Sequence, residues 1–161
     1  MVAQPPGTHL GQINAATARF DMDAPEMADF VAMLASVNAL AERSEGFVWR
    51  LRDEEGEGAT GVRVDGNPRT IIQLSLWESA RTLEHFVWKT VHARVYNRKA
   101  AWFPNDPHPN LAFWWQPAGT VPTAQEAYAR PEHLRAHGPS ETAFGWTELS
   151  GADLWQTKRC G

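Results

Sequence analysis

Residues 74–103, LSLWESARTLEHFVWKTVHARVYNRKAAWF, constrain the fold more than any other stretch, because an alternating strand ending in Trp77 runs straight into a long helical repeat. Ser79 is placed to cap that helix and Pro104, Pro107 and Pro109 stop it, so a helix is expected from Ser79 to about Trp102. On the strand, Ile72, Leu74 and Leu76 fall on one face and Ile71, Gln73, Ser75 and Trp77 on the other. The polar groups on that second face need partners or water. The helix brings His85, Trp88, His92, Tyr96 and Trp102, side chains that can wall a pocket, but no catalytic signature.

Elsewhere the pattern is simpler. Residues 9–20 read as a first strand with weak alternation. Asp23 as N-cap, Pro25 in the first turn and Glu26 in a cap-x-x-Glu pattern start a helix, which Ser44, Glu45 and Gly46 end. Its apolar stripe runs through Met27, Phe30, Val31, Leu34, Val37 and Ala41, and Asn38 intrudes on it. Residues 47–52 form a second strand, with Phe47, Trp49 and Leu51 on one side and Val48, Arg50 and Arg52 on the other. Residues 53–69 are a polar connection containing a short strand at 61–64, and residues 110–116 are the last strand. Thr123 and Glu126 make a capping box for a third helix that stops near Gly138 and Pro139.

The order strand, helix, strand, strand, helix, strand is the ferredoxin-like β-α-β-β-α-β motif, an α+β fold with an antiparallel sheet and both helices on one face. The opposite face would then show Trp, Ile or Phe side chains to water, and an apolar face of that size marks association. Two such faces paired give a dimeric α+β barrel, so a homodimer is expected. The chain of 161 residues fits one domain, with a barrel core at 9–119 and a C-terminal helix and tail at 120–161. A formal net charge of −4 with no basic face argues against nucleic acid. One cysteine, Cys160, permits no internal disulfide. The absence of a leader-like start or an apolar span makes a cytoplasmic protein without membrane association the expectation.

The motifs WES, FVWKTVH, RKAAWF, LAFWWQPAG and LRAHGP with a following AF, spread over residues 10–144, resemble a domain-of-unknown-function family within the dimeric α+β-barrel superfamily. That superfamily includes the antibiotic-biosynthesis monooxygenases, which act on polyketide quinols without metal or flavin. It also includes lactone isomerases, cyclases, aldoxime dehydratases and haem-binding enzymes. The resemblance implies a barrel and leaves the chemistry open, because a fold hosts many functions.

At 100° per residue, His85, His92, Tyr96 and Phe103 share a narrow sector of the long helix with Trp88 on its flank, while Leu83, Phe86, Val87 and Val91 favour the other side. His85 and His92 stand about 10.5 Å apart along the axis, too far for one metal whose ligands each approach to about 2 Å. His92 and Tyr96, at i and i+4, can instead share a hydrogen bond that poises the imidazole as a general base. His133 and His137 repeat that spacing, but Glu132 precedes the first, so the HExxH pattern is absent and no metal is expected. The expected pocket is lined by Trp49, Trp77, Trp88 and Trp114 with His92 and Tyr96, and Asn38 or Arg50 steadies an enolate. The catalytic candidates are thus His92, Tyr96 and His85. The reading is a cofactor-free biosynthetic enzyme that oxygenates, cyclises or isomerises a small hydrophobic or aromatic molecule after His-assisted proton removal. A non-catalytic carrier of a hydrophobic ligand and a haem-binding barrel are the alternatives.

Overall fold

The computed structural model describes residues 2–53, 62–91, 98–105 and 110–151. Its elements are β1 (Thr8–Thr17), α1 (Ala28–Glu42), β2 (Phe47–Arg50), β3 (Thr70–Trp77), α2 (Ala80–Phe86), α3 (Lys99–Trp102), β4 (Leu111–Pro117) and α4 (Ala124–His137). The strands form one sheet in the order β2-β3-β1-β4, and every neighbouring pair is antiparallel. The protein is therefore a mixed α+β fold on a four-stranded antiparallel sheet.

Local chemistry explains several element ends. Ser79 accepts from Thr82 N–H at 3.2 Å, and Thr123 and Glu126 cap α4 reciprocally at 3.1 Å, so both expected caps form. The first helix begins differently from the expectation: a 3-10 turn, Pro25–Met27, intervenes, and neither it nor α1 has a side-chain cap. That turn puts Asp23 a full turn away from the first free N–H groups of α1. The first strand ends at Thr17, and the described residues 62–64 form no strand. Helix α2 passes into a π-helical turn, Val87–Val91, in place of an unbroken α-helix. Gly46, at φ +81°, turns the chain from α1 into β2, and a Cβ there would lie 2.4 Å from Thr82.

Strand β2 contains a register shift between Phe47 and Trp49. The extra residue, Val48, puts Phe47 and Arg50 on one face and Trp49 on the other, which corrects the expectation that Phe47 and Trp49 share a side. On the first sheet face, Leu10, Trp77 and Phe113 pack with Val37 and Ala41 of α1 and with Leu83 and Phe86 of α2. Ile71 and Ala18 continue that face into Met27, Phe30, Leu34, Trp102 and Phe103.

The second face is not open. Ile13, Ile72, Leu74, Ala112 and Trp114 pack with Ala127 of α4 and with Ala143, flanked by Tyr128 and Leu134. The exposed apolar face expected from strand alternation is thus covered by the chain's own C-terminal helix. Trp114 is the centre of this layer: its indole Nε1 donates to Gln116 Oε1 at 2.8 Å, and the Arg130 guanidinium lies 4.4 Å from its ring centroid. Burial lowers the Arg130 pKa, with Glu126 opposing. Gly11, paired with Trp114 across β1 and β4, leaves room for the indole. Phe144 forms an antiparallel bridge to Phe113 through bonds of 2.8 and 3.0 Å, shielding part of the outer edge of β4. Among the described residues no helix is long and apolar enough to cross a membrane.

Candidate functional site

A cavity of about 540 Å³ lies between the first sheet face and helices α1 and α2. Its walls are mostly apolar, including Leu34 and Val37 from α1, Leu83 and Phe86 from α2, and Phe103. Trp77 joins them between two aromatic rings, stacked on Phe86 at 5.0 Å and edge-on to Phe47 at 5.6 Å between centroids. Val87 and Trp88, from the π-helical turn, complete the wall. A π turn re-aims the side chains of a helix, and such turns recur at functional sites.

The floor is polar because of strand register. Gln12 pairs with Ser75, Asn14 with Gln73 and Arg50 with Ser75, so their side chains stand together on the face beneath α1. Gln12 Nε2 and Trp77 Nε1 each donate to Ser75 Oγ at 2.9 Å. Those two donors use both lone pairs of the hydroxyl and leave its hydrogen to donate. Above the floor, Asn38 projects from the buried stripe of α1 into the same cavity. It is only 7% exposed and has no side-chain hydrogen-bond partner among the described residues.

Arg50 lines the cavity, with its side chain 9% exposed, and its Nε donates to Glu42 Oε1 at 2.7 Å. Arg52 Nη2 donates to the same oxygen at 2.7 Å. One carboxylate thus bridges the two guanidiniums that the sequence offers as anion partners.

The structure brings Asn38, Arg50, Trp77 and Trp88 together around one cavity. Trp49 and Trp114 lie across the sheet, so the expected six-residue lining is corrected: Trp49 flanks the second-face cluster and Trp114 is buried in it. The physical reason is the β-bulge for Trp49, and for Trp114 its pairing with Gly11 beneath α4. His85 is exposed on α2 and does not line the cavity. His92 and Tyr96 lie outside the described residues. On α4 the His133 and His137 rings are 4.6 Å apart, but among the described residues no group of three or more His, Cys, Asp or Glu is placed to hold a metal ion.

Gln12, Asn14, Gln73 and Ser75 gain weight only from the structure. Their signal in the sequence is a pair of alternate polar positions in two strands, 12 and 14 against 73 and 75, which becomes a patch once the register is known.

Residues 9–160 match the family described as "Domain of unknown function (DUF3291)", and the chain belongs to that family. Comparison with curated proteins gives no match. Among solved structures the chain is similar to NE2512, a protein of unknown function from Nitrosomonas europaea. The two share 16% identity, over 74% of this chain and 100% of that one, with a TM-score of 0.48.

Proposed function

We propose that this protein binds a small, flat, largely apolar organic molecule between its sheet and α1, and acts on it without a bound cofactor. The observation that carries the binding part is the cavity of about 540 Å³, whose apolar walls surround a few convergent polar groups, the makeup of small-molecule sites. The strand order β2-β3-β1-β4, with a helix after β1 and another after β3, supports a ferredoxin-like reading of the fold. The homodimer remains part of the proposal. Because α4 covers the second sheet face, a face-to-face barrel requires α4 to move aside, and otherwise the dimer uses another surface.

In the catalytic reading, His92, poised by Tyr96, removes a proton from an activated C–H or a phenol. Asn38 and the Ser75 hydroxyl are the described donors for the resulting oxyanion, since Arg50 is engaged by Glu42. Oxygenation, cyclisation or isomerisation can each proceed from that anion. Deuterium uptake at the acidic carbon of 2-tetralone in D₂O, followed by NMR, tests this step. Exchange accelerated by the wild type and lost in a folded His92→Ala variant supports it, and equal rates for the two remove His92 from the chemistry.

One observation favours the second reading, a non-catalytic carrier: among the described residues lining the cavity there is no His, Cys, Tyr, Asp or Glu. For the haem reading, His85 stands outside the cavity, which leaves His92 as its candidate axial ligand. An absorption spectrum of the purified protein with a Soret band would favour that alternative over both others.

A further inference from the structure

The Asn38 carboxamide is a largely buried polar group, 7% exposed, on the wall of the cavity. A buried amide without a hydrogen bond is unfavourable, and the great majority of such groups have a partner. Asn38 has none among the described residues, and it faces a cavity. Its partner is therefore whatever occupies that cavity: water when the site is empty, and a ligand group when it is filled. A ligand that displaces water must restore the lost hydrogen bonds.

The other polar groups around the cavity narrow the chemistry. Gln73, half-buried, also carries a carboxamide without a side-chain partner among the described residues, the Asn14 carboxamide beside it is exposed, and the Ser75 hydroxyl still has a hydrogen to donate. Carboxamides donate and accept, so they match a planar group that does both. A carboxylate or phosphate finds poor support: Arg50 is held by Glu42, and the other lining cation, Lys99, is exposed on α3. A cation finds no carboxylate among the described lining residues. A pure hydrocarbon leaves Asn38 unpaired.

Resting on the binding reading above, we infer that the ligand carries an uncharged planar group with donor and acceptor side by side, a lactam or amide. The group sits under Asn38 against Gln73 and Ser75, and the apolar body of the ligand lies along Leu34, Val37 and Trp77. A site built to hydrogen-bond a group discriminates against analogues lacking it, because its own polar atoms are then left unpaired.

Titration calorimetry with three matched probes, 2-naphthamide, 2-naphthoate and 2-methylnaphthalene, tests the inference. The wild type is expected to bind the amide about tenfold more tightly than either analogue, the worth of one or two net hydrogen bonds. Asn38→Leu should abolish that preference, weakening amide binding and strengthening 2-methylnaphthalene binding, which no longer leaves a carboxamide unpaired. Ser75→Ala, a smaller change, should reduce it about threefold. If the naphthoate or the hydrocarbon binds as tightly as the amide, or if both variants keep the preference, the head-group inference is overturned while the pocket reading stands. If no probe binds, the pocket reading falls and takes the inference with it.

Discussion

Replacing Gly11 by alanine drives a methyl group into the ring of Trp114. An ideal Cβ at Gly11 lies 2.3, 2.6 and 2.8 Å from three ring carbons, whereas carbon atoms in contact rest at about 3.5–4.0 Å. The ring cannot slide away freely, because Arg130 stacks on it and Gln116 holds its N–H. Either the indole tilts and loses the bond to Gln116, or β1 shifts against β4. Overpacking of this kind typically costs about 1–3 kcal/mol, and the lost hydrogen bond about 1 more. The alanine recovers about 0.5–1 kcal/mol, because glycine loses more conformational freedom on folding. The net expectation is a destabilisation of about 2–3 kcal/mol, lowering the melting temperature by about 4–12 °C in a domain of this size. Urea unfolding and thermal melts of wild type, Gly11→Ala, Trp114→Leu and the double variant measure it. In the double variant the clash is relieved, so the two changes should be non-additive by about 1 kcal/mol or more. A Gly11→Ala protein within about 0.5 kcal/mol of wild type would refute the placement of Trp114 against β1, and with it the assignment of the two sheet faces.

In the ligand-free protein water from the cavity satisfies the Asn38 amide, so Asn38→Leu should change stability by no more than about 1 kcal/mol in urea unfolding, and a larger loss would show that the amide has a partner within the protein. Asp65 joins the connection after β2 to α4. Burial raises its pKa, but hydrogen bonds from Thr70, the Asn67 backbone and Tyr128 outweigh it and hold the carboxyl below its ordinary value of 3.8. Its folded pKa lies below the unfolded one, so its stabilisation is complete above that ordinary value and fades as pH falls through the lowered pKa. Asp65→Asn should therefore flatten the acid limb of stability between about pH 5 and pH 2, and an unchanged limb in urea midpoints would count against the carboxylate's role. Glu42→Gln removes the carboxylate that Arg50 and Arg52 share, so 2-naphthoate binding should strengthen roughly threefold, and no change in calorimetry would show that Glu42 does not hold Arg50 back from the ligand.

Much of the element order can be read from residues alone, because strand alternation and capping act locally. Ser79 and Thr123 stand beside the donors they satisfy, so their roles follow from a few neighbours. The second face of the sheet could not be read in this way. Alternation shows that a strand has two faces, but the helix that covers one of them, α4, buries only Ala127 and Pro131 fully and so carries no strong apolar stripe. The bulge at Val48 shifts Trp49 by one register position without a glycine or proline to mark it. For the site, Asn38 was visible as a polar intruder on the stripe of α1. That it lacks a partner depends on the sheet below, and the Gln12, Ser75, Asn14 and Gln73 patch exists only through antiparallel pairing.

In the proposed function the space between the first sheet face and α1 holds a small organic ligand. Intermolecular nuclear Overhauser effects between bound 2-naphthamide and the protein's methyl groups test it most directly. Contacts are expected from the naphthalene protons to Leu34, Val37 and Leu83, which line the cavity, and none to Ile13 or Leu134, which pack on the opposite face. Contacts confined to Ile13 and Leu134, or saturating binding with no contact to the cavity methyls, would contradict it.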